Sequence, residues 1–235
     1  MADTIVILTG AGISAESGLG TFRDTDGLWS KVRIEDVATP EAFARDPARV
    51  QEFYNMRRAQ AAGAAPNPAH HALARLQRDH PGRVVIVTQN VDGLHEAAGA
   101  TVLHMHGALD RALCAACDHR WPAPAEMRPE EPCPACGAPA GRPDVVWFGE
   151  MPHHMEEIAE LLAAADLFVA IGTSGQVYPA AGFVQEARLA GVETLELNLA
   201  ESDVSAAFDR HEIGPASEIV PDWVDRVLSG GRARG

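Results

Sequence analysis

Thr4 to Thr9 (TIVILT) is a short, β-branched, apolar run that passes directly into Gly10-Ala11-Gly12. A strand apolar on both faces must be buried on both, as in a parallel sheet covered by helices. The run therefore predicts a buried parallel strand entering a glycine turn. Similar runs follow at Val84 to Thr88 (VVIVT), Leu167 to Ile171 (LFVAI) and Thr194 to Asn198 (TLELN). Helical patterns lie between several of them, as over Glu156 to Ala164 and Ala180 to Leu189. The alternation predicts an α/β fold, a parallel sheet with helices on both faces.

Two stretches break that rhythm. About 75 residues separate the first strand from Val84, where a βαβ unit needs roughly 30. The excess reads as helix: Pro40 to Ala44, Pro47 to Ala62 and Pro68 to Arg78, the last opened by a capping Asn67 before proline. The second stretch, Arg111 to Asp144, holds all four cysteines and seven prolines and lacks helical periodicity. It reads as a small insert held by something other than a core. The tail after Leu228 (SGGRARG) is expected to be disordered.

A hydrophobic content of 46% supports a sizeable core, and a formal charge of -14 argues against generic nucleic-acid binding, which needs a basic footprint. No apolar run approaches the roughly 20 residues of a membrane helix. Met1-Ala2-Asp3 leads at once into the first strand, leaving no room for a signal peptide. The expectation is a cytoplasmic monomer.

Cys114-x-x-Cys117 and Cys133-x-x-Cys136 stand 15 residues apart. Two such pairs can give four thiolates to one tetrahedral zinc, with Pro132, Pro134 and Gly137 making the tight knuckles. The alternatives are two disulfides or four free thiols, and neither suits a cytoplasmic chain with this spacing. Four thiolates leave the ion no open position, so the zinc is structural.

Gly10 to Gly18 (GAGISAESG) follows a strand, and such a turn lets backbone N–H groups approach a pyrophosphate. Alone it is equally a tight turn, and a dinucleotide fingerprint expects an acid about 20 residues on, at the end of the second strand, which makes an ordinary dehydrogenase a poor fit. The second strand ends instead in Thr88-Gln89-Asn90-Val91-Asp92. Strand ends are where doubly wound folds place ligands, although Asn and Asp also cap ordinary turns. His106, in LHMHG, is a candidate base or a hydrogen-bonded structural residue. His70, His71, His153 and His154 read as structural or solvated, and Trp121 and Trp223 as packing residues.

Taken in order, GAGISAESGLGTFRD (10–24), TQNVDGLHEAAG (88–99), HMHG (104–107), the CxxC pairs, VVWFGE (145–150) and GTSGQVYPAA (172–181) resemble the sirtuins, NAD-dependent protein-lysine deacylases. The resemblance runs from about Ile5 to Val224. It implies a Rossmann-like NAD-binding domain over 1–29, 82–109 and 145–228. A helical insert (30–81) and a zinc ribbon (110–144) would form a small domain, with 229–235 a disordered tail. It implies NAD contacts from Gly10, Ala11, Gly12, Ile13, Ser14, Phe22, Arg23, Trp29, Gln89, Asn90, Val91, Asp92, Gly172, Thr173, Ser174, Asn198, Leu199 and Ala216. Peptide contacts would come from Val146, Trp147, Phe148 and Gly149, an edge segment able to pair with an extended substrate. In that chemistry the acyl oxygen attacks the NAD ribose as nicotinamide leaves. His106 acts as base on a ribose hydroxyl, Asn90 and Asp92 border the nicotinamide pocket, and His104 is structural. The products are free lysine, nicotinamide and O-acyl-ADP-ribose.

One helix carries a finer signal. In Pro47 to Ala62, with Val50, Phe53 and Tyr54 forming an apolar stripe, Arg57 falls roughly 20° from Val50 and Arg58 about 80° away. Arg57 either snorkels, pairs with an acid such as Glu52 or Asp46, or faces a ligand. Tyr54-x-x-Arg57 resembles the pair found in bacterial and mitochondrial desuccinylase-type (class III) sirtuins, which implies removal of succinyl and malonyl as well as acetyl groups. The alanines at 59, 61, 62, 64 and 65 would leave room for the longer chain. An NAD-dependent ADP-ribosyltransferase on the same fold is the alternative, differing only in acceptor. A silent zinc-ribbon adaptor would have no use for His106, Asn90 and Asp92.

Overall fold

The computed structural model describes residues 2–20 and 32–230. Strands β1 (Thr4–Thr9), β2 (Arg83–Thr88) and β3 (Val102–His104) lie in one sheet with β7 (Leu167–Ile171), β8 (Glu193–Asn198) and β9 (Arg210–Ile213). The order is β3-β2-β1-β7-β8-β9, and every pairing is parallel. Thus β1 and β7 are central, while β2 is one strand from the edge; the single-turn helices α1 (Gly12–Ala15) and α6 (Leu94–Ala97) follow the carboxyl ends of β1 and β2.

Alternation along β1 shows why the run is apolar throughout. Ile5 and Ile7 enter one core with α5 (Pro68–Asp79) and α9 (Ala216–Leu228), through Leu73, Leu76, Val220 and Trp223. Val6 and Leu8 enter the other, with α7 (Met155–Ala164) and α8 (Phe183–Leu189), through Ile158, Leu162, Phe183 and Val184. Each buried side chain of this size contributes about 1.5–3 kcal/mol, so a charge on either face of β1 would be costly.

A second sheet is antiparallel, in the order β5-β4-β6: β4 (Gly107–Cys114), β5 (Arg120–Pro122) and β6 (Gly141–Val145). Helices α2 (Ile34–Val37), α3 (Pro40–Arg45) and α4 (Pro47–Ala62) pack on it, burying Val37, Val50, Phe53 and Tyr54 against Leu109, Val145 and Trp147. The cap-then-proline start seen at Asn67-Pro68 recurs. Thr39 accepts from Ala42 N–H and Asp46 from Arg49 N–H, each 3.1 Å away and each followed by proline.

The helical insert expected over 30–81 divides. Helices α2 to α4 join the antiparallel sheet, but α5 packs on α9 and the parallel sheet, because Ala69, Leu73 and Leu76 share one face. At the C-terminus Ser229 and Gly230 extend the helix end, their N–H groups donating to Asp225 and Val227 carbonyls. Residues 231–235 lie outside the described ones. Among the described residues no helix is long and apolar enough to cross a membrane.

Candidate active site

Loops beyond the carboxyl ends of β1, β2, β7 and β8 line one cleft of about 680 Å³, within the range of ligand sites. They bring Gly10, Ala11, Gly12 and Ser14 together with Gln89, Asn90, Val91 and Asp92. Gly172, Thr173, Ser174, Asn198 and Leu199 join them, with Ala216 at the start of α9. Tyr54 and Arg57 from α4, His106, and the segment Val146 to Gly149 close the opposite wall. Phe22, Arg23 and Trp29 lie outside the described residues. Ile13 does not line the cleft: its side chain is fully buried in the core and its carbonyl accepts from Asn67 Nδ2 at 2.7 Å.

The glycine turn offers the cleft fewer backbone donors than its length suggests. Four of its N–H groups are spent inside the protein: Gly10 on Ile171, Gly12 on Gly172, Ile13 on Gly10 and Ser14 on Ala11. Its glycines serve close approach, since a Cβ on Gly12 would stand 2.7 Å from Gly172 Cα. Gly172 itself has φ +62, and its own Cβ would meet Ile13 N at 2.5 Å. Two strand-end loops thus meet backbone to backbone. Among the described residues, the N–H groups of Ala11 and Thr173 are left without a protein acceptor beside the cleft. A Cβ-free floor with two such amides fits a dinucleotide's pyrophosphate.

Buried polar groups beneath this floor orient one another. Asn67 N–H donates to His70 Nδ1 at 3.3 Å, which leaves the proton on Nε2, 3.5 Å from Ser14 Oγ. Ser14 Oγ also accepts from Asn90 Nδ2 at 3.1 Å and donates to Asp92 Oδ2 at 3.1 Å. Burial pushes His70 down to about 3, so it stays neutral. Burial raises Asp92 as well, against the bonds from Leu94 N–H and Ser14 that favour its charged form.

The two histidines of HMHG part company. His106 Nδ1 lies 3.1 Å from the Gln89 carbonyl, which can only accept, so Nδ1 carries the proton and Nε2 is left basic. Burial lowers its pKa, only partly offset by that bond, and His153 lowers it further. His104 instead faces acceptors with both nitrogens, the Asn90 carbonyl at 3.1 Å and Glu96 Oε1 at 2.6 Å. Burial opposes its charge, but the Glu96 bond and charge outweigh burial and its pKa rises. It is a held cation rather than a free base.

The segment Val146 to Gly149 offers less ladder than an open edge. Val146 N–H donates to the His106 carbonyl, Phe148 N–H to Ala38, and Trp147 N–H to Glu150 Oε2. Among the described residues, the Gly149 N–H and the Val146 and Phe148 carbonyls are left for an extended ligand. Behind it Arg142 donates to Glu150 at 2.6 and 2.9 Å and to the Val145 carbonyl at 2.8 Å. Its guanidinium lies 3.4 Å over the Trp147 ring.

Helix α4 departs from the stripe expected of it. Arg58 is the buried arginine, reaching the Ala125 carbonyl at 3.4 Å, and Gln51 is buried on the Gly141 carbonyl at 2.8 Å. Asn55 exchanges two bonds with the Met127 backbone. Polar stitches to the cysteine-bearing insert therefore share the helix with apolar contacts, and an apolar stripe alone misplaces them. Arg57 is half-buried in the cleft wall; burial lowers its pKa, opposed by Tyr54 and Asp92. The five alanines do not line the cleft, and Ala59, Ala62 and Ala65 are exposed.

Cys114, Cys117, Cys133 and Cys136 converge with all four Sγ atoms within 4.8 Å. The Cys114–Cys136 and Cys117–Cys133 separations are 3.7 and 3.8 Å. Zinc–sulfur bonds of about 2.3 Å in a tetrahedron require sulfur edges of about 3.8 Å, whereas a disulfide needs about 2.05 Å. Ala116 and Ala135 N–H groups donate to Cys114 and Cys133 sulfur at 3.4 Å, which favours thiolates. The donor set fits a structural zinc.

A model of the Sir2 family matches residues 10–179. The chain belongs to the Sir2 family. A Bdellovibrio bacteriovorus protein named an NAD-dependent protein deacylase is 59% identical over 228 residues, 95% of this chain and 96% of its own. A solved Sir2 homologue in complex with NAD is 38% identical with a TM-score of 0.89, over 97% of this chain and 91% of that one. The structure of Sir2Af2 bound to a myristoylated histone peptide is 31% identical with a TM-score of 0.75, over 97% and 92%.

Some contacts of this Sir2 cleft escaped the sequence reading. Arg142 falls within the cysteine-bearing stretch and carries no sequence signal of its own beyond being an arginine inside the run GRPDVVWF. His70 reads as a plain helix-start residue, and its capping bond to Asn67 is real, but its other nitrogen meets Ser14. His153 and His154 do have acidic neighbours, Asp144 at 3.9 Å and Glu157 at 3.2 Å, the first supplied by β6. Trp223 is a buried packing residue, while Trp121 stacks on His119.

Proposed function

We propose that this Sir2 chain removes acyl groups from protein lysine side chains with NAD as co-substrate, and that it accepts acidic acyl groups, succinyl and malonyl, as well as acetyl. One observation carries the reading. A neutral histidine with a basic Nε2, a Cβ-free strand-end floor and a tyrosine–arginine pair all line the same cleft.

NAD held by the strand-end loops supplies an electrophilic ribose carbon with nicotinamide as its leaving group. Ala11 and Thr173 N–H groups hold phosphate oxygens, and Asn198, Leu199 and Ala216 hold the adenosine end. Asp92, oriented by Ser14 and Leu94, accepts from the carboxamide and keeps the ring in register for departure. His106 takes a ribose hydroxyl proton at Nε2, its lowered pKa keeping that atom free at neutral pH. Val146 to Gly149 hold the peptide backbone so that the acyl chain points toward Tyr54 and Arg57. Tyr54 donates one hydrogen bond to a distal carboxylate and Arg57 a charge-assisted one, while an acetyl group is accommodated without a clash and leaves the tyrosine donor unused. Four thiolates on zinc call for a reducing compartment such as the cytoplasm.

The test is a panel of acetyl-, malonyl- and succinyl-lysine peptides with and without NAD, read by mass spectrometry. Loss of the acyl group with release of nicotinamide is expected only with NAD. A peptide that gains ADP-ribose and keeps its acyl group would overturn the reading.

A further inference from the structure

Tyr54 is 3% exposed, and its hydroxyl accepts the Trp147 indole N–H at 3.0 Å. Indole nitrogen is a donor only, so this contact can have one polarity. A phenol hydrogen prefers the ring plane, where it has two positions, and the indole hydrogen excludes the one facing Trp147. The Tyr54 hydrogen takes the other. Among the described residues no acceptor stands within reach of it. A buried donor without a partner is costly unless a ligand atom satisfies it. Tyr54 stays protonated, because burial pushes its pKa up to about 12 against the Trp147 bond and the nearby Arg57.

Trp147 is itself held on every side. It is 2% exposed, with Arg142 stacked 3.4 Å over its ring and Phe43 tilted against it at 5.4 Å. Its backbone N–H is tied to Glu150 at 2.8 Å. The indole N–H therefore has a fixed direction.

We propose that Trp147 is a specificity-determining positioning residue: its indole N–H occupies one side of the Tyr54 hydroxyl and so turns the tyrosine hydrogen toward an acceptor oxygen of the acyl chain. The inference rests on the acidic-acyl reading of Tyr54 and Arg57. It adds that the pair is set by a third residue from the segment that also holds the peptide. Acyl recognition and peptide recognition then share one rigid unit.

The test compares kcat/KM for acetyl- and succinyl-lysine peptides of one sequence at saturating NAD. Trp147→Phe should lower the succinyl-to-acetyl ratio about tenfold, chiefly through KM of the succinyl peptide. Benzothienylalanine at position 147, which keeps the bicyclic ring and lacks the N–H, should give the same shift. In a Tyr54→Phe background either change should leave the ratio within about twofold, because the indole acts through the hydroxyl. An unchanged ratio in Trp147→Phe and in the benzothienyl variant, or an equal loss without the tyrosine hydroxyl, overturns the proposal. Arg57→Met in the same assay separates the two claims. A ratio indifferent to Arg57→Met refutes the acidic-acyl reading itself. One that falls with Arg57→Met and holds with Trp147→Phe refutes only the role of Trp147.

Discussion

Replacing Arg142 by methionine should destabilise the protein by about 3 kcal/mol. The arginine side chain is 9% exposed and makes two charge-assisted bonds to Glu150, one bond to the Val145 carbonyl, and a stacking contact with Trp147. Removing one member of a fully buried ion pair costs about 3–5 kcal/mol, because the other charge is stranded. Glu150 is 29% exposed, so water resolvates part of it and the cost falls to the lower end. Methionine retains most of the volume against Trp147, which keeps the cavity cost small. At about 2–4 °C per kcal/mol for a chain of this size, Tm should drop by roughly 6–12 °C. The loss should also depend on pH. Burial raises the Glu150 pKa, but the Arg142 and Trp147 bonds outweigh it, and the folded-state value lies below the ordinary one. Stability from a depressed carboxylate is present above its unfolded pKa and is lost as pH falls through the folded one. The wild-type advantage over Arg142→Met should therefore be full at neutral pH and shrink below about pH 4. Thermal melts from pH 3 to 8 measure this. A Tm within 2 °C of wild type at pH 7, or an advantage independent of pH, would refute the buried-clamp argument.

His106→Ala should fold and lose at least about 100-fold in turnover, and the acid limb of wild-type kcat/KM should lie below about pH 6.5, because the folded-state pKa of the free enzyme is depressed. An acid limb above that value would contradict the neutral-base assignment. Cys114→Ser or Cys136→Ser should lose metal and stability together; elemental analysis that finds no zinc in pure wild-type protein with freely titrating thiols would remove the ribbon. Arg57→Met should cut the succinyl-to-acetyl ratio of kcat/KM by roughly 10–100-fold, the worth of a charge-assisted bond, measured on matched peptides.

Much of this architecture was readable from local pattern. Apolar runs at Thr4 to Thr9 and Leu167 to Ile171 are strands because parallel strands covered on both faces must be apolar at every position. The CxxC spacing implied a four-sulfur site because each knuckle is a local geometry, complete within a few residues. Asn67-Pro68 started a helix for the same reason: cap and proline act on the adjacent turn. The fold, the zinc ligands and most of the cleft wall come from such short-range rules, strengthened by the order in which the motifs occur.

What needed the tertiary structure was every fact that depends on two distant segments meeting. Position in the sheet is one: β2 reads like β1, yet only the pairing order puts it next to the edge. Helix α5 looks like the third helix of an insert, and only its contact with α9, more than a hundred residues later, gives it to the main sheet. The glycine turn reads as a phosphate cradle, and only its meeting with Ile171 and Gly172 shows that Ala11 is the amide left facing the cleft. The state of His106 is decided by the Gln89 carbonyl, and the aim of Tyr54 by an indole at position 147. Sequence determined which residues carry hydrogen-bonding and charged groups. Direction, protonation and partnership followed only from folding, because they depend on where the neighbouring dipoles and charges come to lie.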